Sequence, residues 1–562
     1  MNPANTAPAY PWLQHYPQGV PTTIDPDKYH SVLDLLESGF RDYADRVAFY
    51  NMGKTITYRE LEVQSRNFAA WLQAKGLKKG DRIAIQMPNL LQFPVVMFGA
   101  LRAGLIVVNT NPLYTPREME HQFRDSGAVA IVILANFADK LDQVIAKTNI
   151  KTVIVSQIGD MLGGMKGAIV NFVVKRVRKM VPNYSLPGHH KLKQVLNEAG
   201  GYTYSRPEVS NQDLAFLQYT GGTTGLSKGA SLTHRNILAN MEQIFAWVSP
   251  LTDGGKTAEI IITALPLYHI FALTVNCLAF FSVGGKNVLI TNPRDIPGFI
   301  KELRKHKFSV FTGINTLFAA LMNHAEFSSI DFRSLKLSLG GGMALQDVVV
   351  RRWEKLTQSR LAEAYGLSEA SPGVTANPLT DAARIGTVGV PLPSTEVIVA
   401  TEAGEPLPAG ERGELLVNGP QVMQGYWHKP EENEKVFVNG YLRTGDIAIM
   451  SEDGFFKIVD RKKEMILVSG FNVFPNEVEG VIVENPKVLE VGVTAAPHEK
   501  SGECVAAYIV KKDPSLTREE IVAFCRERLT GYKVPKVVEF REELPKSNVG
   551  KILRRKLREP ND

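Results

Sequence analysis

Cysteine is scarce. Three residues, Cys277, Cys504 and Cys525, serve a chain of 562. The number is odd and no pair has metal or redox spacing, which argues against a disulfide framework and points to reduced thiols of the cytoplasm. No secretory leader is expected either: Met1 to Pro21 is rich in proline and aromatics, with neither a basic nor an apolar leader region. A dominant charge is missing. Against 64 basic residues stand 58 acidic ones, a net +6. That bias is too slight for a chain of this length to imply nucleic acid, and no nucleic-acid motif accompanies it. Internal repeats and low-complexity tracts are absent.

One long stretch, Ile260 to Gly285, lacks Asp, Glu, Lys and Arg. It has the length of a membrane span. Pro266, Tyr268, His269, Asn276 and the closing glycines interrupt it, so a buried strand followed by a core helix is expected.

What is present is ordinary for a globular protein: 44% hydrophobic and 22% charged residues. The length corresponds to about three or four structural modules. Thr57 and Glu60 form a capping-box pattern ahead of Leu61, Phe68 and Leu72, which share one helical face, and Gly76 closes the helix. Arg82–Gln86, Val129–Leu134 and Thr152–Val155 read as short apolar strands, and Gln92–Ala103 as a helix. Later strands are expected at Val288–Ile290, Ser309–Thr312 and Leu335–Leu339. The alternation predicts an α/β fold with largely parallel sheets. From 384 to 459 the pattern changes to short β segments with Gly and Pro turns. Asp460-Arg461-Lys462-Lys463, taken alone, reads as a polar hairpin turn. The last hundred or so residues read as a compact α+β module, with strands at Val488–Thr494 and Val505–Val510 and a helix capped by Thr517 and Glu520. The basic run from Lys546 to Arg558 reads as a solvated tail.

Residues 166–184 are distinctive. Lys166, Lys175, Arg176, Arg178 and Lys179 are interleaved with apolar side chains from Ile169 to Met180, with no acidic residue among them. Such a segment lies on an anionic membrane surface or packs an apolar face on its own domain; the sequence leaves both open.

The stretch Tyr219-Thr220-Gly221-Gly222-Thr223-Thr224-Gly225-Leu226-Ser227-Lys228-Gly229 follows the apolar run Leu214–Leu217. Four glycines let the backbone approach a ligand, three threonines supply hydroxyls, and Lys228 supplies charge. This suits a polyphosphate. It is not a Walker A loop, because Lys228 lies between Ser227 and Gly229.

Six motifs then occur in one order: this loop, Tyr365-Gly366-Leu367-Ser368-Glu369, Tyr441-Leu442-Arg443-Thr444-Gly445-Asp446, Asp460-Arg461-Lys462, Ser469-Gly470-Phe471-Asn472-Val473-Phe474-Pro475-Asn476-Glu477-Val478-Glu479, and Pro545-Lys546-Ser547-Asn548-Val549-Gly550-Lys551. Together they resemble the adenylate-forming superfamily over nearly the whole chain. Met87-Pro88-Asn89, Asn111-Pro112-Leu113-Tyr114-Thr115-Pro116-Arg117-Glu118 and Leu529-Thr530-Gly531-Tyr532-Lys533-Val534-Pro535-Lys536 resemble, more narrowly, bacterial long-chain fatty acid–CoA ligases.

The resemblance implies a large multi-layer domain, residues 1–459, and a small mobile α+β domain, residues 460–562, hinged at Asp460. It implies adenylation of a carboxylate by ATP, then transfer to CoA. Lys551 and Glu369 are the implied catalytic residues, with Glu369 and Thr220 on Mg²⁺. Tyr219, Thr220, Gly221, Gly222, Thr223, Thr224, Gly225, Lys228, Gly341, Tyr365, Gly366, Asp446 and Arg461 are implied for ATP. His269 and Gly342 are implied for the acyl group, and Gly470 and Phe471 for CoA. The expected partners are a fatty acid, ATP, CoA and an anionic membrane surface at the cytoplasmic face, with no nucleic acid; a homodimer stays open. Alternatives are a ligase of medium-chain or aromatic acids and a non-catalytic fatty-acid binding or uptake protein at the membrane.

Overall fold

The computed structural model describes residues 10–220, 227–252, 256–499, 501–547 and 550–559. Two large sheets, an antiparallel β sheet and a small C-terminal domain organise these residues.

The first large sheet has seven strands. Its order is His190–Lys191, Thr152–Ser156, Ala130–Leu134, Arg82–Gln86, Ile106–Asn109, Leu214–Thr220 and Lys228–Thr233. All neighbours are parallel except the last pair. The second has nine strands. Its parallel centre runs Leu361–Gly366, Leu337–Gly340, Val310–Gly313, Ile260–Thr263, Lys286–Leu289 and Val47–Asn51. These strands are apolar on both faces because helices cover both faces. Trp353, fully buried, packs on Phe311 and Phe318 and donates its indole N–H to Ser338 Oγ at 3.0 Å.

Local signals set the helices. Thr57 and Glu60 form the capping box of helix Tyr58–Ala74, and Thr115 and Glu118 form that of Pro116–Ser126. The charge-free stretch forms the buried strand Ile260–Thr263 and then a π-type helix, Ala272–Ala279, with every side chain buried. Among the described residues no helix is long and apolar enough to cross a membrane.

An antiparallel sheet follows, of Glu396–Ala400, Arg412–Asn418, Tyr441–Met450, Phe437–Val438 and Phe456–Arg461. The small C-terminal domain has strands Phe471–Val473, Ile466–Val468, Gly502–Lys511, Val488–His498 and Val537–Arg541. Helices Pro475–Val483 and Arg518–Arg526 cover the sheet.

Two expectations are corrected, and a third segment that the sequence left open is described. Residues 460–463 are no hairpin: the strand before them pairs with Tyr441–Met450 and the strand after them with Gly502–Lys511, so the chain passes there from one sheet to another. The basic run after Lys546 is not a solvated tail. Leu557 is fully buried, its carbonyl accepts from Arg541 Nη2 at 2.8 Å, and Lys546 pairs with Glu490 at 2.6 Å. Residues 164–180 bury Gly167 and half-bury Val170, Val173 and Val174, but leave much of their apolar surface uncovered. The α-helix Gly164–Phe172 continues as a π-type turn, Val173–Val177, and Met165, Ile169, Phe172, Val177 and Met180 are exposed.

Candidate active site

A cavity of about 1000 Å³ lies where the large sheets, the antiparallel sheet and the small domain meet. Parallel strands deliver their C-terminal ends here: Leu214–Thr220 brings Tyr219 and Thr220, Leu337–Gly340 leads to Gly341 and Gly342, and Leu361–Gly366 brings Tyr365 and Gly366. Ligands gather at such strand ends because the loops leave a crevice there. Glycine at 366 is a steric requirement, since a Cβ would sit 2.1 Å from the Pro372 carbonyl oxygen.

The polar end is tightly wired. Tyr365 Oη donates to Asp446 Oδ2 at 2.6 Å, and Arg461 Nε reaches Asp446 Oδ1 at 3.0 Å. Asp446 is buried behind these two lining side chains. Glu369 sits on the turn Ser368–Ala370, and its Oε1 accepts from Tyr426 Oη at 2.7 Å. Burial and the Glu369 charge push the Tyr426 phenol well up, so it stays a donor. Lys228 opens the strand Lys228–Thr233, pairs with Glu432 and stands 5.1 Å from the centre of the Tyr426 ring. Tyr219 borders the cavity while its hydroxyl donates to Asp125 Oδ2 at 2.8 Å.

Apolar lining is supplied by Ile244, Trp247, Val248, Leu337, Leu379 and Leu392. Trp247 is fixed by its Nε1–H, which donates to the Asn377 carbonyl at 3.1 Å. His269 also lines the cavity. Its Nδ1 accepts from the Phe271 N–H at 3.3 Å, and burial pulls its imidazole down to about 4, so the ring is neutral.

Lys551 enters from the small domain and lines the same cavity. Its backbone N–H donates to Ser547 Oγ at 3.1 Å, and its carbonyl accepts from the Ser547 N–H at 2.7 Å. Gly550 has φ +82°, and a Cβ there would lie 2.6 Å from Ile314 Cδ1. Its carbonyl accepts from Thr316 Oγ1 at 3.3 Å, a bond between the small and large domains. Burial first, and then the Arg461 charge, hold the Lys551 ammonium below the usual lysine range.

The structure thus gathers Tyr219, Thr220, Lys228, His269, Gly341, Gly342, Tyr365, Gly366, Glu369, Arg461 and Lys551 around one space, with Asp446 behind. Gly221, Gly222, Thr223, Thr224 and Gly225 lie outside the described residues. Gly470 and Phe471 are elsewhere: Phe471 is 57% exposed and stacks on Tyr532 at 4.9 Å. Sequence reasoning missed Tyr426, Glu432, Asp125 and Trp247, whose local sequences carry no signal of a site. For a metal, the donor set is small. Among the described residues no group of three or more His, Cys, Asp or Glu could hold an ion. One carboxylate, Glu369, with the Thr220 hydroxyl fits Mg²⁺, which keeps its waters and takes most other ligands from substrate phosphates.

Fold and cavity define a two-domain enzyme in which the small domain completes the site of the large one. The AMP-binding enzyme profile matches residues 36–427, and that of the AMP-binding enzyme C-terminal domain matches 477–551. The chain is 57% identical over 549 residues to the long-chain-fatty-acid–CoA ligase of Escherichia coli O6:H1, covering 98% of each. It is 38% identical to that of Bacillus subtilis strain 168, again over 98% of each. Among solved structures, ATP-bound MatB from Rhodopseudomonas palustris superposes with a TM-score of 0.80 at 27% identity, covering 94% of this chain and 98% of that one. An anthranilate CoA ligase holding anthranoyl-AMP shares the fold, with a TM-score of 0.84 at 23% identity over 95% and 98% of the two chains. The chain belongs to the AMP-binding enzyme family.

Proposed function

We propose that the chain ligates a long-chain fatty acid to CoA through an acyl-adenylate, releasing AMP and pyrophosphate. The observation that carries this reading is the cavity itself: one space is lined by apolar Ile244, Trp247, Val248, Leu379 and Leu392 together with Glu369, Lys228 and the small-domain Lys551.

A fatty acid carboxylate is a poor acyl donor until its oxygen becomes part of a good leaving group. In the first step a carboxylate oxygen attacks the α-phosphorus of ATP and the bond to pyrophosphate breaks. In the second the CoA sulfur attacks the acyl carbon, losing its proton, and AMP departs. Lys228 and the glycine- and threonine-rich loop would grip the pyrophosphate half. Tyr365 would face the adenine, with Asp446 and Arg461 at the ribose. Lys551 would neutralise charge developing between carboxylate and α-phosphate, which positioned charge does well in a site closed to water. Glu369 and Thr220 would hold Mg²⁺, which when bound would offset charge on the phosphates. Gly470 and Phe471 would reach the site only after the small domain turns about Asp460, with CoA entering beside them.

Fatty-acid-dependent release of AMP and pyrophosphate, measured with ATP, Mg²⁺ and CoA across an acyl-chain panel, tests the reading. Preference for medium-chain or aromatic acids would move the substrate class. No release with any acid would leave the binding or uptake alternative, against which the assembled Glu369, Asp446 and Lys551 argue.

The proposal extends to a membrane surface. Exposed Met165, Ile169, Phe172, Val177 and Met180 alternate with Lys175, Arg176, Arg178 and Lys179. Apolar groups would enter the headgroup boundary while the cations meet anionic lipid, each worth about 1 kcal/mol near the surface. Neutralising the four cations should weaken co-sedimentation with anionic vesicles; unchanged binding sinks this extension.

A further inference from the structure

Arg554 lies three residues beyond Lys551 and outside the cavity. Its side chain is only 12% exposed, and it faces three carboxylates. Nε donates to Glu479 Oε1 at 3.0 Å and Nη2 to Glu479 Oε2 at 2.8 Å, a two-pronged grip. Nη1 donates to Asp460 Oδ1 at 3.0 Å and also to Glu464 Oε2. Nη2 donates further to Asn476 Oδ1. All five guanidinium N–H groups are thereby committed.

The partners come from both sides of the chain crossing. Asp460 belongs to the strand Phe456–Arg461 in the antiparallel sheet, whereas Glu464, Asn476 and Glu479 belong to the small domain. Asp460 is 1% exposed, and its Oδ2 accepts the Asn476 N–H at 2.8 Å. The three acids could not share this buried space without the cation between them, because like charges in low dielectric repel and each keeps its own desolvation cost. Glu464 also favours the charged form of Lys551, so the cluster and the Lys551 ammonium feel one another.

The geometry points to Arg554 as a positioning residue: it ties the segment carrying Lys551 to Asp460, and so holds the small domain in the arrangement that places Lys551 in the cavity. This rests on the reading of the chain as an AMP-forming ligase. On that reading the contact serves adenylation and is not needed for transfer to CoA. Its planar fork matters as well as its charge, so lysine is a poor substitute.

The test separates the half-reactions in the full-length protein. Wild type, Arg554→Lys and Arg554→Gln are compared in single-turnover acyl-adenylate formation from ATP and palmitate, and in thioester formation from supplied palmitoyl-adenylate and CoA. Losing charged hydrogen bonds should slow adenylation about 10- to 100-fold. KM for ATP and palmitate should be unchanged, and the thioester step should be within about twofold of wild type because it does not use this arrangement. A general folding defect would depress both steps. Glu479→Gln, which keeps the side-chain shape and removes the charge that faces the two-pronged grip of Arg554, must show the same split. If the Arg554 variants do not fold, this variant decides alone. Equal loss in both steps, or loss in neither, overturns the assignment. Absence of palmitate-dependent AMP in the wild type would instead remove the ligase reading.

Discussion

The Tyr365 hydroxyl hydrogen-bonds Asp446 at 2.6 Å, joining two residues 81 positions apart. It links strand Leu361–Gly366 of the nine-stranded sheet to strand Tyr441–Met450 of the antiparallel sheet. Two motifs that are separate in the sequence become one wall of one cavity, and Arg461 completes it from the next strand.

Tyr365→Phe removes that bond and keeps the ring. A hydrogen bond to a charged group contributes about 1.5–3 kcal/mol, so KM for ATP should rise about 10- to 100-fold. Little change in KM, measured by initial rates of AMP release, would separate the contact from nucleotide binding.

Lys551→Ala should abolish adenylation and still convert supplied acyl-adenylate to thioester. Rapid-quench assays of each half-reaction read this out. Parallel loss of both would refute the assignment of Lys551 to the first step.

The pH dependence of adenylation follows from the same lysine. Burial holds its ammonium below the ordinary value of 10.5. The protonated form is the one that stabilises charge at phosphorus, so adenylation should fall as pH rises through this lowered value. The thioester step should lack that alkaline limb. A limb at or above 10.5 would contradict a buried Lys551.

His234 makes an acid-side prediction for stability. It is 3% exposed, its Nδ1 accepts the Val32 N–H at 3.1 Å, and burial pulls it from 6.5 to about 4. Between those values the unfolded chain binds the proton and the folded one does not. Its contribution is complete above pH 6.5 and is lost as pH falls to about 4. The lowering corresponds to about 3 kcal/mol. In urea melts, His234→Gln should be less stable at neutral pH and lose less between pH 6.5 and 4. Parallel acid profiles would exclude this histidine.

Glu369→Gln should raise the Mg²⁺ concentration needed for AMP formation at least about tenfold, since an amide is a weaker ligand for a hard cation. Tyr426→Phe, which removes the donor to Glu369, should do so less. Titration of activity against Mg²⁺ distinguishes them, and an unchanged requirement in Glu369→Gln would release Glu369 from the metal.

The sequence carried its local devices openly. The caps at Thr57 and Thr517, the buried run at Ile260 and the strand before Thr220 are statements about nearest neighbours, where side-chain period and hydrogen-bond capacity suffice. The ordered motifs were equally legible, and through their resemblance they pointed to Lys551, Glu369 and Asp446 from a distance. Other features depended on which surfaces meet. Residues 460–463 have hairpin composition, yet their flanking strands joined different sheets because better partners lay elsewhere in the chain. The basic run after Lys546 became structure because Leu557 found an apolar face and Arg554 found three acids. Tyr426 and Trp247 entered the site only through packing. Residue type and spacing determined the chemistry available to this protein. Tertiary structure decided which groups share one buried space, because burial, charge pairing and close contact depend on partners that sequence distance does not reveal.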